Sequence, residues 1–275
     1  MLDEKLLSIN QVTVLRQWSL PETIEGLARH GLSAISVWRE KLHETGVDEA
    51  ARMLDDHAMT VTGLCFAGMI TSPDAAEAEK ARDDVRRALD EAAAIKAGCL
   101  VFVAGGVDPR DKDLASTRAR ARDGVAALVP HARAAGVRIA LEPLHPMICA
   151  NRSVISSVGI ANDWCDAIDA EDVLGIAVDT YAVWWDPHLE AEIGRAGKRI
   201  CAFHINDWLA DTRDLRLDRG MMGDGVIDIP RIRRWVEAAG YRGFNEVEIF
   251  SERNWWKRDP VEVVDTCIER YRNFV

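Results

Sequence analysis

LGIAVDTYAVWWDPHLEAEIGRAGKRICAFHINDW, residues 174–208, contains two short apolar runs, Leu174–Asp179 and Ile200–Ile205, separated by an amphipathic segment. Asp186-Pro187 is a cap-then-proline helix entry, and Pro187–Arg195 carries the helical pattern. Strand, helix and strand in this order form a unit that pairs its strands in parallel. The same alternation runs outward to both ends. Strands are predicted at Leu7–Val14, Ala34–Trp38, Val61–Phe66, Cys99–Val103, Val137–Glu142 and Glu246–Phe250, which with the two above makes eight. Helices are predicted near Glu22–His30, Val47–His57, Ala75–Ala97, Leu114–Ala134, Ala161–Ile168, Ile229–Ala239 and Pro260–Asn273. Ser19-Leu-Pro-Glu22 reads as a capping box, and Gly31, Gly136 and Gly240 mark helix exits. Eight repeats over 275 residues, about 34 each, predict a single (β/α)8 TIM barrel over residues 1–275. The other arrangement, a doubly wound open sheet, wants a glycine-rich turn after its first strand, and SINQVTVLRQWSL (residues 8–20) has no glycine.

Composition bounds the function. Hydrophobic residues at 48% and charged residues at 29% describe a folded globular chain. A net charge of −11 argues against a non-specific nucleic-acid binder, which needs a basic surface. The six cysteines form no C-x-x-C pair, and MLDEKLLSIN has acids where a signal peptide has bases. No run reaches the ~20 apolar residues of a membrane span. The expectation is a soluble cytoplasmic protein with no membrane or nucleic-acid partner.

A barrel carries its chemistry at the C-terminal ends of its strands. Strands five to eight end there in Glu142, Asp179, His204 and Glu248. Side chains two apart share a face of a strand, so Ala140, Ala177, Ala202 and Glu246 should fill the interior. Leu141, Val178, Phe203 and Val247 should then face the helices. Three carboxylates and one imidazole make a hard donor set that suits Mn²⁺, Mg²⁺ or Co²⁺. Against this stands the plainer reading of each acid as a rim salt bridge or helix cap. His145, three residues after Glu142, is either a base at the same site or a rim histidine satisfied by backbone. His188 reads as surface, and His30, His43, His57 and His131 as structural. Seven of nine tryptophans fall after strands, among them Trp184, Trp185 and Trp208, which offer indole faces to a flat or sugar-like ligand. Trp255 and Trp256 serve equally well as loop packing. Gly223-Asp-Gly225 reads as a tight turn that admits close backbone approach, with Arg213, Arg216 and Arg219 before it.

LEPLHP (141–146), DTYAVWWDP (179–187), HINDW (204–208), DRGMMGDG (218–225) and EVEIFS (246–251) resemble the sugar phosphate isomerase/epimerase family of xylose isomerase-like TIM barrels. The resemblance spans essentially the whole chain and is densest from Val137 to Ser251. It implies one divalent-metal site, often manganese, at Glu142, Asp179, His204 and Glu248, with Glu142 and Glu248 as the acid/base pair and Arg219 touching substrate. The implied reaction is isomerisation or epimerisation of a small carbohydrate, through removal of a proton alpha to a carbonyl and an enediolate. A related branch, the larger subunits of C-glycoside deglycosidases, implies elimination of an aglycone from a 3-oxo sugar glycoside, with His145 as base and a small second subunit as partner. A homo-oligomer is the other expected assembly. Ala182 stands where relatives commonly have histidine, and Ile148 where free-ketose epimerases tend to have glutamate; both depart from an ordinary ketose epimerase. A DNA-repair endonuclease would need more rim histidines than this chain's seven provide. A non-catalytic sugar-binding barrel would leave the metal ligands incidental.

Overall fold

The computed structural model describes residues 3–275. Eight parallel strands close a barrel: β1 (Leu7–Asn10), β2 (Ala34–Trp38), β3 (Thr60–Gly68), β4 (Cys99–Val103), β5 (Arg138–Leu141), β6 (Leu174–Asp179), β7 (Ile200–Ile205) and β8 (Asn245–Val247). Each pairs with its sequence neighbours, and β8 closes on β1 through Leu7 opposite Asn245. The predicted face assignment holds. Ala140, Ala177 and Ala202 pack inside with Cys65, Cys99 and Val101, whereas Leu141, Val178, Phe203 and Val247 join the larger core under the helices. Small interior side chains leave room at the axis for the acids above them.

Several boundaries differ from expectation. The first strand stops at Asn10, not Val14, because the Asn10 side chain accepts from Val12 N at 3.0 Å and starts a 3₁₀ turn over Gln11–Val14. This truncation reaches across to β8. Thr13 Oγ1 donates to Val247 O at 3.0 Å and accepts from Ile249 N at 3.1 Å, taking the partners a longer β1 would have supplied. The eighth strand therefore ends at Val247, and Glu248 stands just past it. A helix at Arg39–Thr45 was not anticipated; its Arg39 is fixed by Asp84 at 2.6 Å and Glu91 at 2.6 Å on the neighbouring helix. The capping box is present, with Ser19 N donating to Glu22 at 2.8 Å. No helix among the described residues is long and apolar enough to cross a membrane, and all six cysteines are free thiols.

Candidate metal centre and active site

The adjacent strands β5, β6, β7 and β8 deliver Glu142, Asp179, His204 and Glu248 to one point of the barrel mouth. One donor atom from each lies within 4.8 Å of the others, and all four side chains are buried. His204 Nδ1 is 2.9 Å from Glu142 Oε1 and 3.7 Å from Glu248 Oε2. Its Nε2 faces Glu246 Oε1 at 3.5 Å, one layer down. Glu246 is in turn held by Asn10 Nδ2 at 2.8 Å and Thr62 Oγ1 at 2.7 Å. Asp179 Oδ1 accepts from Asn206 Nδ2 at 2.8 Å and from Tyr181 N at 3.0 Å, which orients the carboxylate.

Arg219 enters this cluster rather than standing off from it. Its Nη1 donates to Asp179 Oδ2 at 3.0 Å and Glu248 Oε2 at 2.8 Å, and its guanidinium lies against the Tyr181 and Phe250 rings. A short antiparallel ribbon, Asp207–Trp208 with Arg219–Gly220, carries it there. The ribbon has its own anchor. The Asp207 carboxylate accepts from the backbone N–H groups of Trp208, Gly223, Gly225 and Ile227 at 2.8–3.0 Å. A side chain at Gly225 would sit 2.1 Å from Trp208 O, so the Gly223-Asp-Gly225 turn admits a close approach as expected. The group it clasps is this chain's own aspartate.

Four buried carboxylates, Glu142, Asp179, Glu246 and Glu248, face one guanidinium and one imidazole. Burial and the neighbouring Glu142 and Asp179 push the Glu248 carboxyl up to about 8, against the pull of Arg219 and His204. Burial opposes the charged imidazolium of His204, yet the carboxylates of Glu246, Glu248 and Glu142 outweigh it and raise its pKa. This excess of negative charge, hard oxygen donors and one ring nitrogen turned toward them fits a divalent cation. His204 Nδ1 is the nitrogen available to it, while Glu246 faces the other and would fix the ring.

A cavity opens above the cluster, lined by Glu142, Glu248 and Arg219 below and by His145, Arg152 and Arg216 nearer the mouth. Its apolar walls are Trp38, Phe66, Val103, Leu144, Ile148, Tyr181, Ala182, Leu215 and Phe250. His145 Nδ1 accepts from Met147 N at 3.2 Å, and burial lowers its pKa. The ring's free acceptor is thereby engaged, and the neutral form carries its proton on Nε2 as a donor. Trp184, Trp185 and Trp208 stand behind this wall. Trp208 stacks on Tyr181 at 4.6 Å and lies 4.8 Å from His145, and Trp185 Nε1 donates to Ala182 O at 2.8 Å. Trp256 is buried and donates to Val12 O at 2.7 Å, which is loop packing. Sequence reading overlooked Asn10, Asn206, Phe66, Arg152 and Tyr181. Asn206 was within reach, since it lies two residues beyond His204 on the same face.

The model of the family described as xylose isomerase-like TIM barrel matches residues 24–272. The chain belongs to that family. Among curated proteins none matches it in sequence. Among solved structures, protein SMc04130 from Sinorhizobium meliloti 1021 is 49% identical with a TM-score of 0.96, and the match covers 99% of each chain. An IolI protein crystallised with a bound zinc atom is 18% identical with a TM-score of 0.82, covering 98% of this chain and 99% of its own. The 3-keto-D-glucoside 4-epimerase YcjR from E. coli is 16% identical with a TM-score of 0.77, covering 97% and 98%. These last two likenesses concern the fold. In this xylose isomerase-like barrel the two departures noted above, Ala182 and Ile148, both lie on the cavity wall.

Proposed function

We propose that this chain is a divalent-metal-dependent sugar isomerase or epimerase that removes a proton alpha to a carbonyl. One observation carries the reading: Glu142 and Glu248 belong to the four-donor cluster and also line the cavity. Glu142, Asp179, His204 and Glu248 would hold the cation, with Mn²⁺ the favoured ion and Mg²⁺ or Co²⁺ as alternatives. When bound, the cation supplies a Lewis acid that polarises the sugar carbonyl and makes the neighbouring C–H acidic. Glu142 and Glu248 then accept and return the proton as base and acid. His145, with its proton on Nε2, donates a hydrogen bond to a substrate oxygen. Arg219 holds the charge of Asp179 and Glu248 in place. Epimer-specific return of the proton follows from which glutamate delivers it.

Solvent-proton exchange tests this: the Mn²⁺-loaded chain should wash deuterium from D₂O into one carbon of a ketose. Absence of exchange across a panel of ketoses and 3-oxo glycosides would overturn the proton-abstraction step. A second reading is supported by the apolar wall at Leu144, Ile148, Ala182 and Leu215. It is elimination of an aglycone from a 3-oxo glycoside, with a small second subunit as partner; release of a free aglycone would select it over epimerisation. The assembly proposed for the first reading is a homo-oligomer, and for both readings a cytoplasmic location.

A further inference from the structure

Charge in this barrel is mostly paired. Arg39 meets Asp84 and Glu91, Arg195 meets Asp163 and Asp166, and Arg118 and Arg138 reach backbone carbonyls. Arg152 and Arg216 break the pattern. Both line the cavity above the acidic cluster, on the loops that follow β5 and β7. Arg152 is partly buried, and its guanidinium lies over the Phe66 ring at 5.3 Å with no ion-pair or hydrogen-bond partner among the described residues. Burial lowers its pKa and the positive charge of Arg216 lowers it further, with Glu142 deeper in the cavity opposing them in part. The guanidinium of Arg216 likewise has no ion pair among the described residues; Asp214 on its loop spends Oδ1 on the backbone N–H groups of Arg216 and Leu217, at 2.8 Å each. The acids lower in the cavity are engaged elsewhere, Glu142 by His204 and Glu248 by Arg219.

Two like charges turned into one cavity, one of them partly desolvated, repel unless an anion lies between them. We infer that Arg152 and Arg216 bind an anionic group, a carboxylate or a phosphate, carried by the sugar whose carbonyl end reaches Glu142 and Glu248. The inference rests on the proposed carbonyl chemistry for the substrate's other end. The cavity is polarised along its depth: an acidic floor that takes a cation and hydroxyl groups, and a basic mouth that takes an anion. Guanidinium forks match both carboxylate and phosphate in two-point geometry.

Calorimetric titration of the Mn²⁺-loaded chain at low salt provides the test, with D-galacturonate and D-fructose 6-phosphate as anionic probes and D-galactose and D-fructose as neutral counterparts. At least one anionic sugar should bind on the order of 10–100-fold more tightly than its neutral partner, as charge-assisted hydrogen bonds require. The tighter of the two identifies the anion. The preference should shrink as NaCl is raised and collapse toward unity in Arg152→Met/Arg216→Met, where methionine keeps the apolar stem over Phe66. Arg216→Met alone, at an exposed position, should lose part of it. Equal binding of anionic and neutral sugars, or a preference untouched by both variants, would overturn the anion site. Deuterium exchange on D-fructose is read separately: exchange without anion preference leaves the isomerase reading standing, and anion preference without exchange leaves this one.

Discussion

The two halves of the barrel divide the labour unequally. Strands β5 to β8 bring every ionisable donor of the cluster, Glu142, Asp179, His204 and Glu248, with Glu246 beneath. Strands β1 to β4 present neutral groups to the same interior: Asn10, Ser36, Trp38, Cys65 and Val101. The first half shapes and insulates. Asn10 donates to Glu246 at 2.8 Å and to Glu248 at 3.4 Å, and Cys65 Sγ accepts from the same amide at 3.4 Å. Low-polarity walls on one side strengthen the electrostatics on the other, because fields between buried charges are poorly screened there.

Breaking the acidic half should cost most. Glu142→Gln removes a proton acceptor and a charged donor together, so deuterium exchange should fall beyond roughly 10⁴-fold while circular dichroism stays native. Retained exchange would take Glu142 out of the mechanism. Next in size is Arg219→Met, which strips the buried countercharge from Asp179 and Glu248. Metal-free chain should lose about 3–5 kcal/mol in urea unfolding, and Mn²⁺ should restore much of it by supplying positive charge at the same acids. A variant as stable as the parent without metal would show that the acids are neutralised some other way. Saturating the parent with Mn²⁺ at 100 times its Kd should add about 2.7 kcal/mol, removable by EDTA.

His145 sharpens the boundary between floor and wall. It lies against Trp185 and Trp208 with Nδ1 engaged by Met147 N–H, and burial keeps its pKa below the ordinary 6.5. It is neutral near pH 7; as pH falls through its lowered pKa, the added proton lands on Nδ1, which can then no longer accept from Met147 N–H, so the ring loses its anchor and activity should fall. His145→Ala should lower kcat by roughly 10²-fold and remove that acidic limb, with metal content unchanged; an intact limb would assign it to another group. The neutral half should yield least. Cys65→Ser keeps the volume and a hydrogen-bonding atom, so stability should shift by less than about 1.5 kcal/mol and Mn²⁺ affinity should not move. A large loss of affinity there would mean that the first half does more than insulate.

Strand order, strand-face parity and the four clustered donors were all legible in the chain, because each depends on local period and on which residue follows an apolar run. Glu142, Asp179, His204 and Glu248 follow four such runs, and parallel neighbours in a closed barrel must bring those ends together. Tertiary structure alone decided the rest. Nothing local says that Arg219 turns inward onto Asp179 and Glu248, or that the glycine turn clasps Asp207, since both depend on how a long loop folds back across the mouth. The tryptophans show the same limit. A residue after a strand is near the mouth by topology, but whether it faces the cavity or backs its wall depends on packing with side chains remote in sequence, as Trp208 does with His145 and Tyr181. Side-chain period is a property of neighbours along the chain; the direction of a loop side chain belongs to neighbours in space.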